Sequence, residues 1–150
     1  MSTPKKIMVA IDQSDYSLAS VLYSHALAAA VNASLMLVHI FNQRDYHTIY
    51  ATLHPYDPVL CERVAAEKME ERRQFLEELT IQAGAQKTVT QKIVRLGIPY
   101  LELLTVIEEE KPDLLVMCIK GRSNLGDTIA GSCAQKMYRR SPIPLLSLRP

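Results

Sequence analysis

The sequence carries no marked excess of charge of either sign. Its 150 residues contain 17 Lys and Arg against 16 Asp and Glu, which leaves a formal net charge of +1. Proteins that hold nucleic acid through the phosphate backbone carry a clear excess of positive charge. We therefore expect neither DNA nor RNA as a partner.

Cysteine is scarce. Cys61, Cys118 and Cys133 are odd in number, and their spacing matches no zinc-binding pattern. The first residues lack the apolar region of a signal peptide, so an oxidising compartment is not indicated. We expect reduced thiols without a disulfide framework, in a soluble protein of the cytoplasm.

Two further patterns are missing. No apolar run is long enough to span a bilayer, so we expect no membrane partner. No Ser-His-Asp or Cys-His set stands at motif spacing, and no pair of carboxylates stands out for acid-base chemistry. The sequence therefore predicts a binding protein rather than an enzyme.

Short apolar runs and helical patterns alternate along the whole chain. Hydrophobic residues make up 48% of the sequence and no composition shift divides it, so we expect one domain over residues 1–150. Helical periodicity occupies residues 14–32, 59–83, 99–110 and 132–140. The predicted strands that flank these helices are residues 7–11, 35–41, 88–96, 113–118 and 143–148.

This alternation is typical of an α/β fold. Right-handed crossovers between successive strands give a single doubly wound, five-stranded parallel sheet with helices on both faces. The first and fourth strands are the most apolar and suit central positions, so we predict the strand order 3-2-1-4-5. Ligands of such sheets bind beyond the carboxyl ends of the strands, where the winding reverses.

The segment "CIKGRSNLGDTIAGSC", residues 118–133, follows the fourth strand at such an end. Its glycines either let the backbone approach a phosphate or simply turn the chain. Gly131 and Ser132 open a helix, whose unpaired N–H groups and positive dipole end attract anions. The glycines at 126 and 131 have the spacing of a P-loop, but Ser132 stands where the lysine belongs, which argues against a Walker-type NTPase.

Several segments together resemble the universal stress protein family over essentially the whole chain. The most specific block is "KGRSNLGDTIAGSCAQKM", followed by "PIPLLSL" near the end of the sequence. The other matching segments are "VAIDQSDYSLAS" at 9–20, "LMLVHIF" at 35–41 and "GIPYLELLTVIEEEKPDLLVM" at 97–117. The resemblance implies a signalling protein of the stress response that binds adenine nucleotide, ATP or AMP with Mg²⁺, and changes its contacts with an unknown protein partner.

The resemblance also implies which residues hold the nucleotide. It puts Asp12 near the ribose and the backbone of Ile40 along the adenine edge. The residues placed around the phosphates are Gly121, Gly131, Ser132 and Cys133. The remaining nucleotide-binding positions that it implies are Ala10, Met117 and Arg122.

One position departs from the pattern of the ATP-binding members. Those members carry the pattern Gly-x-x-Gly, then nine residues, then Gly-Ser or Gly-Thr. In this sequence Gly121, Gly131 and Ser132 match the pattern, but Cys118 stands at the position of the first glycine. Its Cβ and sulfur should narrow the approach to the ligand, so we expect micromolar affinity at best. The first alternative is a nucleotide-independent dimeric interaction module of the same family, and the second is a slow ATPase.

The roles of several further residues stay open at this point. Cys133 in a first helical turn favours thiolate, and both it and Cys118 could respond to oxidation, or both could be buried and inert. His39 lies in a buried strand and is expected to be a core or rim imidazole rather than a base. The charged run at 67–73 is expected to be a solvated helix face with i,i+4 pairs.

Residues 42–58 are expected to form a long loop because they are rich in turn formers. Its aromatic side chains could stack on adenine or shield it, or fold over their own scaffold. These side chains are Tyr46, His47, Tyr50, His54 and Tyr56.

The last strand, residues 143–148, predicts a homodimer. It is apolar along nearly its whole length, and in the predicted order it has a neighbouring strand on one side only. Such an edge invites pairing with another chain, and two copies related by a twofold axis could close it. Pro144 lacks an N–H, so the arrangement requires its nitrogen to face away from the partner strand or to lie where the ladder begins.

Overall fold

A computed structural model of the chain describes residues 2–119 and 132–149. Within these residues the strands are β1 (Lys6–Ile11), β2 (Ser34–Asn42), β3 (Val89–Gly97), β4 (Leu114–Cys118) and β5 (Leu145–Leu148). The helices are α1 (Ser17–Val31), α2 (Gln43–Leu53), α3 (Pro58–Gln82), α4 (Pro99–Glu110) and α5 (Ser132–Arg140). No helix in this part of the chain is long and apolar enough to cross a membrane.

The strands form one sheet in the order β3-β2-β1-β4-β5. Every neighbouring pair is parallel, with β1 between β2 and β4. The predicted α/β fold and strand order are therefore confirmed. The physical basis is that β2 is buried along seven consecutive residues and β1 along most of its length, as central parallel strands require.

The two faces of the sheet carry separate apolar clusters. Alternate residues of β1 point to opposite faces, so Ile7 and Val9 join one cluster whereas Met8 joins the other. We call the first the α1/α3 face, because α1 and α3 supply its helical side, including Val21 and Leu76. The second is the α4/α5 face, covered by side chains such as those of Leu103, Val106, Ile107 and Met137.

The chain reverses direction after its helices at residues that accept a left-handed backbone. Asn32 ends α1 with φ 56°, and Gly84 follows α3 with φ 64°. Pro99 opens α4, where its missing N–H costs nothing, and Lys111 ends it in the left-handed region. These ends return the chain to the amino edge of the sheet, so that each following strand runs parallel to the others.

The expected long loop at 42–58 is wrong, because residues 43–53 form α2. The side chain of Asn42 caps this helix by accepting the N–H of Arg44 at 3.0 Å. Tyr46, Tyr50 and His54 follow one another at four-residue spacing, and the rings of Tyr50 and His54 stack at 4.2 Å between centroids. No residue of α2 is fully buried, although Tyr46, Ile49, Tyr50 and Leu53 stand at the spacing of one helical face.

The charged run at 67–73 is solvated only in part. Lys68 pairs with Glu71 at 3.0 Å and Arg73 with Glu70 at 3.2 Å, at i,i+3 spacing rather than the expected i,i+4. Arg72 departs from the prediction, since it is only 8% exposed. Its guanidinium carbon lies 3.8 Å from the centroid of the Phe41 ring, and its Nη1 donates to the Lys68 carbonyl. Arg72 thus fixes α3 against the end of β2.

Candidate functional site

A cavity of about 430 Å³ lies at the carboxyl edge of the sheet. It is enclosed where β1, β2 and β4 end and where α2, α4 and α5 begin. This is the position at which the order of the strands reverses, with β1 followed by β2 on one side and β4 on the other. Its size lies within the range of small-molecule sites, about 300–1,000 Å³.

The structure brings together six of the nine residues that the resemblance implied. The residues of this set that line the cavity are Ala10, Asp12, Ile40, Met117, Ser132 and Cys133. They come from three strand ends and one helix start that are up to about 120 positions apart in the chain, and the parallel topology places them at one edge. Gly121, Arg122 and Gly131 lie outside the described residues. The binding role of all nine stays a prediction.

One wall of the cavity is apolar. It belongs to the α4/α5 face, because Ala10, Val38, Ile40 and Met117 all project to that side of the sheet. Leu103 of α4 closes the same wall. A flat aromatic ring could lie against such a surface with favourable burial of its faces.

Asp12 is held by the turn that follows β1. Its Oδ1 accepts the N–H of Ser14 at 3.0 Å, and Gln13 between them has φ 60°. A carboxylate that accepts from the backbone two residues on forms an Asx turn, which fixes its position at the rim. Asp12 therefore presents negative charge and acceptor oxygens beside the apolar wall.

His39 is buried and joins two strand ends. Its Nδ1 lies 2.7 Å from the carbonyl oxygen of Ile11. Since a carbonyl can only accept, Nδ1 donates, and the imidazole ties β2 to β1 beside the cavity. This is the role expected for a core or rim imidazole.

The two cysteines of the cavity sit on different sides of the sheet. Cys118 Sγ lies 3.0 Å from Ser20 Oγ of α1, so its sulfur is directed towards the α1/α3 face. Cys133 packs into the cluster of the α4/α5 face. Cys118 lines the cavity, but its sulfur lies against α1. The side chain at this position therefore takes less space from the cavity than the replacement of a glycine by cysteine predicts.

Both thiols are held in the neutral form. Burial raises the pKa of Cys118, partly offset by the hydrogen bond with Ser20. Burial raises the pKa of Cys133 to about 11, and the negative charge of Asp12 adds to the effect. At Cys133 the effect of desolvation on the pKa therefore outweighs that of the helix dipole. Of the two alternatives, the structure favours buried, inert thiols over reactive thiolates.

The first turn of α2 was missed by the sequence reasoning. Asn42, Arg44 and Asp45 line the cavity, whereas the tyrosines at 46, 50 and 56 and the histidines at 47 and 54 are not among its lining residues. Of the two alternatives left open for these aromatic side chains, the described cavity wall does not include them as a shield. A signal was present, since Asn42 is a good N-cap and Asp45 suits a first turn.

The model of the universal stress protein family matches residues 3–149. Among curated relatives, the "universal stress protein in QAH/OAS sulfhydrylase 3′ region" of Thermus aquaticus is 29% identical over 147 residues, covering 97% of this chain and 98% of the relative.

Solved structures agree with this fold. That of protein MJ0577 superposes with a TM-score of 0.80 at 20% identity, covering 99% of this chain and 98% of its own. A universal stress protein solved in complex with cAMP superposes with a TM-score of 0.61 at 26% identity, covering 99% of this chain and 98% of its own. On the family match over nearly the whole length, the chain belongs to the universal stress protein family.

Proposed function

We propose that the cavity binds an adenine nucleotide, ATP or AMP, and that its occupancy changes the contacts of the protein with a signalling partner. The observation that carries this proposal is the convergence of Ala10, Asp12, Ile40, Met117 and the start of α5 around one cavity. The relative solved with cAMP adds support, since it shares the fold and binds an adenine nucleotide.

The cavity offers suitable surfaces for the base and the ribose. The apolar wall of Val38, Ile40 and Met117 would cover the faces of adenine, and the backbone of Ile40 would meet its edge. Asp12 accepts hydrogen bonds and is held in place by Ser14, so its carboxylate suits the hydroxyl groups of a ribose.

The start of α5 offers the surface for phosphate. Ser132, Cys133 and Ala134 form its first turn and line the cavity, so the N–H groups of this turn and the positive end of the helix dipole would face a phosphate. Gly121, Arg122 and Gly131 belong to this part of the proposed site. The described residues contain no cluster of three or more His, Cys, Asp or Glu that could hold a metal. A Mg²⁺ ion would therefore be bound mainly by the nucleotide phosphates and water.

Mass spectrometry of ligand released from freshly purified protein, followed by titration calorimetry with ATP and AMP, tests the proposal. Asp12→Asn keeps an acceptor for the Ser14 N–H but removes the charge, so we expect affinity to fall by about tenfold or more. Asp15→Asn is the matched control, because Asp15 is exposed and does not line the cavity. No released nucleotide together with no heat from the parent protein would overturn the proposal.

We also propose that two copies of the chain form a homodimer through β5. This dimer is required as well by the alternative function, a nucleotide-independent interaction module. In the described sheet β5 pairs with β4 and lies at the end of the order. Leu115 N–H donates to the Pro144 carbonyl at 2.9 Å and Ile119 N–H to the Leu148 carbonyl at 3.1 Å. The backbone groups of even-numbered residues thus face β4, and those of Leu145 and Ser147 face the free edge. Pro144 therefore costs no bond to a second copy.

Light scattering tests this edge. The parent should have a mass near twice 16.9 kDa. Ser147→Pro removes one N–H from the free edge at an exposed position and should give a monomer, whereas Ser147→Ala should leave the dimer intact. A monomeric parent, or a dimeric Ser147→Pro variant, contradicts pairing through β5. Leu146→Lys is a less clean probe, since Leu146 also packs into the core of the α1/α3 face.

A further inference from the structure

We propose that Arg44 and Asp45 select adenine over other purines by reading the edge of the base that carries N6 and N7. This inference rests on the proposed function and adds to it the residues that decide which base is accepted. It concerns the first turn of α2, which the sequence did not predict as a helix.

Arg44 and Asp45 reach the cavity because the end of β2 is fixed. The Asn42 side chain accepts the Arg44 N–H and so sets the direction of the first turn. One residue earlier, Phe41 is only 1% exposed and its ring is covered by the guanidinium of Arg72. Both side chains therefore start from a rigid point, as a specificity-determining group requires.

The same strand end places them on the base side of the proposed site. Ile40, whose backbone is assigned to the adenine edge, is separated from Arg44 by only three residues, and both line the cavity. Ser132 and Cys133, which are assigned to the phosphates, start the helix that follows β4, on the other side of β1. Arg44 and Asp45 thus belong with the base rather than with the phosphates.

The chemistry of the pair matches adenine. Adenine presents an acceptor at N7 and an amino donor at N6, whereas guanine and hypoxanthine present two acceptors, N7 and O6. The guanidinium of Arg44 can only donate, and the carboxylate of Asp45 can only accept. One donor beside one acceptor therefore complements adenine, and an O6 purine would set its carbonyl oxygen against a carboxylate.

Titration calorimetry with AMP and IMP, which share ribose and phosphate but differ at position 6 and at N1, tests the contact at N6 through the change that a variant of Asp45 makes in the ratio of their affinities. The parent should bind AMP about 10- to 100-fold more tightly than IMP. Asp45→Asn can donate as well as accept, so the ratio of the two affinities should fall to within about threefold. Glu62→Gln is the control, because this exposed carboxylate of α3 does not line the cavity and its loss should leave the ratio unchanged.

The contact at N7 is tested with 7-deaza-AMP, which lacks that acceptor. The parent should bind it about 5- to 10-fold more weakly than AMP, by roughly the energy of one hydrogen bond. Arg44→Ala should bind both ligands equally weakly. If Arg44 contacts phosphate instead, the variant will lose affinity for both ligands and keep the difference between them, which would overturn the role of Arg44.

The outcomes separate this inference from the function on which it rests. A parent that binds AMP in an Asp12-dependent way, with an AMP to IMP ratio that Asp45→Asn does not change, overturns base selection alone. A parent that binds none of these nucleotides overturns both. A lowered ratio in Asp45→Asn with an unchanged ratio in Glu62→Gln supports both.

Discussion

The two faces of the sheet bury different kinds of side chain. Among the described residues, the buried polar and charged ones all lie on the α1/α3 face, namely Ser17, Ser20, Ser24, His39, Arg72 and Thr80. The buried cluster of the α4/α5 face is apolar and contains four methionines, at positions 8, 36, 117 and 137. The nucleotide cavity that we propose takes its apolar wall from this second face.

The difference in side chains suggests that the α1/α3 face, which we call the braced layer, is packed more specifically than the α4/α5 face. On the α1/α3 face, Ser20 and Thr80 return hydrogen bonds to carbonyls of their own helices, and Arg72 stacks on Phe41. Such directional contacts permit few alternative packings. Methionine is flexible and polarisable, and it fills irregular space next to a cavity at low cost. The α4/α5 face should therefore tolerate changes of side chain better than the α1/α3 face.

Removal of the ring under Arg72 should have the largest effect on this comparison. Phe41→Ala deletes a fully buried aromatic side chain and leaves the guanidinium without its contact, so we expect a loss of about 3–5 kcal/mol in the free energy of unfolding. Phe41→Leu keeps most of the volume and should cost about 1–2 kcal/mol. Urea denaturation measures both, and a Phe41→Leu variant as stable as the parent would show that the ring adds nothing beyond its volume.

Truncation on the apolar face should cost less. Met137→Ala empties a fully buried position of α5, and we expect a loss of about 2–4 kcal/mol by urea denaturation. Met137→Leu should stay below about 1.5 kcal/mol, since an adaptable apolar face accepts a side chain of similar volume. A Leu variant as unstable as the Ala variant would mean that this face is packed as specifically as the other.

The thiol of Cys133 should make stability depend on alkaline pH. Its folded pKa is raised to about 11 by burial, so the unfolded chain releases the proton first as pH rises. The contribution of the neutral thiol is complete below about pH 8.5, the value for an unfolded chain, and disappears as pH rises through the folded pKa. We expect it to be on the order of 2 kcal/mol. Cys133→Ala should flatten the pH dependence above pH 8.5 relative to the parent, and parallel curves would contradict the prediction.

The hydrogen bond across the α1/α3 face should have the smallest effect. Ser20→Ala removes the partner of the Cys118 thiol and one bond to the Tyr16 carbonyl, so we expect a loss of about 1 kcal/mol. Ser24→Ala is the control, because the structure gives the buried Ser24 hydroxyl no hydrogen-bond partner within the described residues. The melting temperature of Ser20→Ala should be lower than that of Ser24→Ala. The reverse order would contradict the inference that directional hydrogen bonds stabilise the α1/α3 face.

The sequence predicted the strands of the sheet better than the residues around its carboxyl edge. The strands other than β3 were predicted because buried strands are short continuous apolar runs, and β3 was predicted from its alternating pattern. α5 was predicted because Ser132 and Ser141 bound a helical pattern. α2 was not predicted, because the turn formers of residues 42–58 outweighed the helical spacing of Tyr46, Ile49, Tyr50 and Leu53. Arg72 was assigned to solvent because its neighbours are charged, and periodicity does not reveal that Phe41 lies beneath it.

For the site, the sequence by itself determined which residue types follow β1 and begin α5, namely Asp12 and Ser132. The tertiary structure decided where the Cys118 sulfur points and that Arg44 and Asp45 join the cavity wall. The physical reason is that strand order follows from apolar content and crossover handedness, which are properties of segments. Side-chain direction at an edge depends on the neighbouring strand and helix, which only the assembled sheet brings together.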